Sequence, residues 1–129
     1  PQEKNTTVYS DMIKKLNCTN AIISNESIYE LINLSSMVIS IFSSTMFDSI
    51  VFKKPVIRVK FQNEHHPIFD KTDGIFTSSM NELSKNILKI LDSNDIKESL
   101  ISKSQILLKE HYGIPEKDPQ EILDQLIHS

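Results

Sequence analysis

The sequence predicts an α/β fold: a parallel sheet of about four or more strands layered between helices, closed by a helical C-terminal tail. Three observations lead there. Short apolar runs rich in β-branched residues ("NAIIS", "MVISIF", "PVIRVKF" and "GIFT") recur through the first two thirds of the chain. They are separated mostly by amphipathic stretches, and parallel strands require such crossovers. The longer runs show little polar alternation, which suits strands covered on both faces.

The 129 residues are enough for one domain with a proper core and too few for two, so residues 1–129 are read as a single domain. With 39% apolar and 24% charged residues and a formal charge of −3, the composition is that of a soluble globular protein and lacks the basic face of a nucleic-acid binder. No apolar run approaches spanning length. The single cysteine, Cys18, reads as a plain thiol. Asn-x-Ser/Thr triplets begin at Asn5, Asn17, Asn25 and Asn33, but a chain rich in Asn and Ser generates these by chance. With neither a secretory leader nor a spanning segment in view, a cytoplasmic location is expected.

Each element follows from its spacing. "NTTVYSDMIKKL" places Val8, Met12, Ile13 and Leu16 on one side of a helix. "NAIIS" reads as the first strand, ending at Ser24. Ser27 and Glu30 stand at capping-box spacing before Ile28, Leu31, Ile32 and Leu34. "MVISIF" is the second strand, "TMFDSIVF" a short helix, and "PVIRVKF" the third strand, opened by Pro55 where a missing N–H matters least. The loop "QNEHHPIFDKTDG" leads to a short strand at "GIFT". Ser79 and Glu82 repeat the capping-box spacing ahead of a helix carrying Leu83, Ile87, Ile90 and Leu91, and "NDIKESLISKSQILLKEHY" forms the next, ending near Gly113. Asp118, Pro119 and Glu121 occupy N-cap, N1 and N3 positions of a last helix.

In parallel α/β sheets ligands sit beyond the carboxyl ends of the strands. Asn25 and Glu26, the turn Ser43-Ser44-Thr45 and the loop from Phe61 to His66 should therefore share one edge, with Lys53 and Lys54 at the opposite one. Where a strand hands over to a helix, unpaired N–H groups and the aligned peptide dipoles receive an anion. Three consecutive hydroxyls at 43–45 would add donors, and Asp48, one turn on, suits a vicinal diol. The competing reading is a self-contained cap, since Thr45 and Asp48 also stand at T-x-x-D spacing.

The segment "YELINLSSMVISIFSSTMFDSIVFKKPVI", residues 29–57, resembles the C-terminal donor-binding domain of two-domain B-type glycosyltransferases. It is most similar to the CDP-glycerol glycerophosphotransferase and capsule-polysaccharide group, in its Ser-Ser turn, the acidic residue after it and the "KPVI" strand. UDP-N-acetylglucosamine 2-epimerase-like proteins share the architecture. The resemblance implies a Rossmann-like fold in which Ser43, Ser44 and Thr45 hold the diphosphate of a nucleotide-activated sugar or CDP-polyol and Asp48 its ribose. Asn25 and Glu26 would lie near the base. It also implies that the chain is the C-terminal half of a longer transferase, inactive alone, with Pro1 closing a His-Pro pair and an acceptor domain that would carry any peripheral membrane contact. Ser36 stands where the family usually has Asp, and Phe42 where it often has Tyr. The donor is a substrate, and no cofactor is expected.

His65 and His66 suit a loop flanking such a pocket, within reach of phosphate or acceptor. A metal centre would need Glu64 or Asp70 as well, and adjacent loop residues rarely converge on one ion; no metal is expected. His111 reads as a helix C-terminal cap and His128 as a terminal residue. The alternatives are a UDP-N-acetylglucosamine 2-epimerase-like domain, and a non-catalytic α/β interaction module whose Ser-Ser-Thr turn only caps its helix.

Overall fold

The computed structural model describes residues 7–41 and 43–112, together with Gln120, Glu121 and Asp124; the side chains of residues 111 and 112 are outside the description. Its elements in chain order are α1 (Thr7–Lys15), α2 (Ile28–Leu34), β1 (Val38–Ser40), α3 (Thr45–Val51), β2 (Val56–Val59), β3 (Phe76–Ser78), α4 (Leu83–Leu91) and α5 (Asn94–Tyr112). The predicted α/β class holds, with three parallel strands in the order β1-β2-β3. Phe42, His128 and most of the last predicted helix lie outside the described residues, as does the side chain of His111.

β2 occupies the centre because all four of its residues are apolar or able to pack, and all four are buried. Val56 faces the core built with Met46 and Ile50 of α3, Phe69 and Ile75 of the loop before β3, and Leu107 and Leu108 of α5. Ile57 faces the other way, onto Ile90 of α4 and Leu100 of α5. α5 therefore serves both faces: its first half covers one, its second half the other, and it crosses between them beside the segment just ahead of β3. At the crossing stands Gly74, where an added Cβ would lie 2.9 Å from the Lys103 carbonyl oxygen and 2.9 Å from the Ser104 Cα. Gln105 ties the same helix to α3 by donating from Nε2 to the Ile50 carbonyl (2.8 Å).

α3 ends in a Schellman turn. Lys53 takes a left-handed conformation (φ 57°), its N–H reaches the Ile50 carbonyl and the Lys54 N–H reaches that of Ser49, both at 2.9 Å. This reverses the chain into Pro55, whose carbonyl accepts the Val38 N–H (2.9 Å) and starts the β1–β2 ladder. Lys53 and Lys54 thus precede β2 at the edge opposite the carboxyl ends, as expected.

Two expectations need correction. Residues 20–24 form no strand: the segment is irregular, and Ile22 is 88% exposed. Among the described residues the sheet has three strands; α1 buries no residue, and Val8, Met12 and Leu16 are all exposed. An apolar run makes a strand only when a ladder and a covering layer hold it. Nor does Ser27 cap α2 with its side chain. That helix is held instead by Ile32, which packs with Phe52, Tyr29 and Val38.

The backbone contact at Gly74 makes a direct prediction. Gly74→Ala forces α5 away from the sheet edge, lowering stability by about 1–3 kcal/mol in urea unfolding, whereas Ser99→Ala, an exposed position on the same helix, leaves the midpoint within experimental error.

Candidate functional site: the carboxyl edge of the sheet

The parallel register brings the ends of β1 and β2 side by side, so the Ser43–Thr45 turn and the loop after Val59 share the carboxyl edge. Asn25 and Glu26 are exposed and follow no strand. The placement expected for them rested on that strand and does not hold here; the Glu26 N–H donates to Ser24 Oγ at 3.1 Å.

The start of α3 is more self-contained than its hydroxyls suggest. Ser43 Oγ accepts the Thr45 N–H (3.1 Å), the Ser43 carbonyl accepts that of Met46 (3.1 Å), and the Ser44 carbonyl accepts those of Phe47 (2.9 Å) and Asp48 (3.3 Å). The amides from Thr45 to Asp48 are therefore engaged within the turn, which corrects the expectation of unpaired first-turn donors. The T-x-x-D box does not form, because the N-cap position falls on Ser44 and Thr45 is already the first residue of the helix; the Thr45 N–H goes to the Ser43 hydroxyl instead. That hydroxyl also donates to Thr45 Oγ1 at 3.0 Å. Left over are the exposed hydroxyl of Ser44 and the carboxylate of Asp48. The Asp48 carboxylate makes no hydrogen bond or ion pair among the described residues, and partial burial pushes its pKa above the usual carboxylate value. An unpartnered, half-buried carboxylate has strong reason to accept hydrogen bonds from a ligand.

The neighbouring loop is organised around a residue the sequence reading had passed over. Arg58, in the middle of β2, is 2% exposed. It lies on the same face as Val56, with its guanidinium carbon 5.5 Å from the centroid of Phe69. A buried guanidinium demands a counter-charge, and Asp70 provides it, accepting from Arg58 Nη1 at 2.7 Å. The same oxygen takes Lys60 Nζ (3.2 Å) while the other takes the His66 N–H (3.0 Å), with His65 Nδ1 at 3.4 Å. Arg58, then the His66 amide and Lys60, hold the Asp70 carboxyl well below the usual carboxylate range against a smaller opposing effect of desolvation. Arg58 Nε is buried without a partner.

The two histidines part company. His66 Nδ1 accepts the N–H groups of Ile68 and Phe69, both at 3.2 Å, and its ring stacks on Phe69 at 4.0 Å. That fixes Nδ1 unprotonated and commits this atom to shaping the loop. His65, 82% exposed, faces an open cleft of about 410 Å³ with Lys60, Phe61, Gln62, Asn63 and Ser79 at the ends of β2 and β3. A larger cavity, about 500 Å³, lies between β3, α4 and α5 and contains none of the residues singled out from the sequence. Among the described residues no group of three or more His, Cys, Asp or Glu could hold a metal ion. No helix among the described residues is long and apolar enough to cross a membrane.

Because the folded pKa of Asp70 is depressed, its contribution is complete above the unfolded value of about 4 and is lost as pH falls below it. Urea midpoints measured from pH 6 downward should fall on the acid side in the wild type. Asp70→Asn should lower the midpoint at pH 6 and flatten that acid limb. Comparison of the chain with protein-family models, with curated proteins and with solved structures gives no match, so the functional reading rests on these residues.

Proposed function

We propose that this chain is a Rossmann-like donor-binding domain. It takes a nucleotide-diphosphate sugar or a CDP-polyol for transfer to a glycan or cell-surface polymer, and works in the cytoplasm as part of a longer two-domain transferase. The observation that carries the reading is Asp48: a half-buried carboxylate without a partner among the described residues, one turn beyond three hydroxyls, at the carboxyl end of a parallel strand. A ribose diol supplies two donors that satisfy it. The exposed hydroxyl of Ser44 and that of Thr45 are then in position for the diphosphate, with Ser43 shaping the turn rather than acting as a free donor.

Lys60, at the neighbouring edge of the same sheet, adds positive charge as the leaving nucleotide gains negative charge, and the exposed ring of His65 stands beside the same cleft. Arg58 and Lys60 both donate to Asp70 Oδ1, which keeps the Lys60 ammonium oriented toward the loop. The base that activates the acceptor belongs, in this reading, to the acceptor-binding half. A UDP-N-acetylglucosamine 2-epimerase-like domain would use the same donor edge. A non-catalytic module would have Ser43 as a cap and no ligand at all, and the engaged amides at Thr45–Asp48 are what favours it.

Titration calorimetry with CDP, UDP, CMP and GDP separates these. The expected outcome is binding of one diphosphate nucleotide, weakened at least tenfold by Asp48→Ala and, to a lesser degree, by Ser44→Ala. Binding that survives both substitutions refutes the assignment of the site, and silence for all four nucleotides favours the interaction module.

A further inference from the structure

Two stretches of the chain share a spacing. Helices α2 and α3 are both seven residues long, and α3 is α2 displaced by 17 residues, from Ile28–Leu34 to Thr45–Val51. The residues 41–44 separate β1 from α3. Displacing β1 by the same 17 residues lands on Ala21–Ile23, with 24–27 as the matching link to α2. That triplet is apolar and β-branched at two of its three positions, yet Ile22 is 88% and Ile23 39% exposed.

The sheet has a place for it. Val38 directs its N–H to the carbonyl of Pro55, the residue just before β2. Alternate residues of a strand point their backbone groups to opposite sides, so Ile39 turns its N–H and carbonyl outward, and among the described residues no strand lies there. The side chains of Ile39 and Ile41 are 44% and 48% exposed. Handedness agrees as well. A right-handed crossover from β1 through α3 to β2 puts α3 on one face of the sheet. A strand outside β1 would continue the same direction and require α2 on that same face. α2 is there, packing Ile32 on Phe52 with Val38 beside them.

We infer that Ala21–Ile23 is a docking strand, exposed in the state described, which adds in parallel to the free edge of β1. The addition covers Ile39 and Ile41, withdraws Ile22 and Ile23 from solvent, and pairs the outward backbone groups of Ile39. It also carries Asn25 and Glu26 to the carboxyl edge beside Ser43. The strand addition stands independently of ligand; its consequence for Asn25 and Glu26 rests on the donor-site reading, in which nucleotide favours the docked state by contacting residues that only docking delivers.

Amide hydrogen exchange on the full chain reads this at one atom, the Ile39 N–H, with the Ile57 N–H inside the ladder as the control for global folding. The expected result is protection of Ile39 by roughly a hundredfold or more, in the free chain or with saturating CDP or UDP, lost in Ile22→Asp while Ile57 stays protected. An Ile39 amide that exchanges at the unprotected rate under every condition overturns the inference, and so does protection that survives Ile22→Asp. Protection with no nucleotide bound in calorimetry leaves the docking strand standing and removes the donor site.

Discussion

The structure depends on a charged residue in the middle of its central strand. β2 is buried on both faces, and three of its four residues are aliphatic. The fourth, Arg58, is as buried as its neighbours. A guanidinium in that position is costly by several kcal/mol unless it is paired, and the pairing cannot come from an adjacent strand, whose registered residues are Ser40 and Thr77. It comes from Asp70, twelve residues on. The need for that carboxylate obliges the long β2–β3 connection to fold back over the sheet. Once there, the loop supplies Phe69 as a platform for the guanidinium and, with Ile75, as part of the core under α3 and α5.

The same constraint organises the carboxyl edge. Asp70 collects Lys60 and the His66 amide as well as Arg58, so the loop that follows β2 is anchored a few residues past the strand end instead of swinging free. His66 completes the anchoring with its ring nitrogen and its stack on Phe69. Phe61, Gln62, Asn63 and the exposed His65 lie on the other side of that anchor and form part of the wall of the cleft at the ends of β2 and β3. A buried ion pair thus separates the part of the loop that supports the fold from the part that is free to meet a ligand.

Much of this architecture was legible in the sequence because its signals are local. "PVIRVKF" announces a central strand by composition, "LSKNILKIL" a helix by period, and both occur. The boundaries of α3 followed from a hydroxyl start and a Lys-Pro stop. What could not be read depends on pairs distant in the chain. Arg58 looks like a surface residue in a strand until Asp70 is known to reach it, and Gly74 looks like any loop glycine until α5 is known to cross there. Asp70 was weighed only as a metal ligand, although an acidic residue in a long loop after a buried basic strand position is the signal that would have found the pair. The Ser43–Thr45 turn shows the opposite failure. Its residue types were read correctly, but the number of amides left for a ligand depends on torsion angles, and Ser43 consumes more of them than its spacing reveals.

The misread first strand follows the same logic. Composition alone gave "NAIIS" the character of a strand, and that character is real; what decides between coil and strand is the free energy of the neighbouring edge. Burying two isoleucines contributes a few kcal/mol, while ordering several residues costs about 1–2 kcal/mol each. The two terms nearly cancel, so a segment of this length is balanced between states. β1 and β2 escape that balance because each packs side chains against α3 as well as pairing with a neighbour. Residues 21–23 have only α2 to tether them, with no covering layer from α1, and a small additional contact at the carboxyl edge is therefore enough to decide which state is populated. In the docking proposal, marginal stability at the edge of the sheet, next to a strongly fixed centre, is what would couple this part of the fold to a ligand at the carboxyl edge.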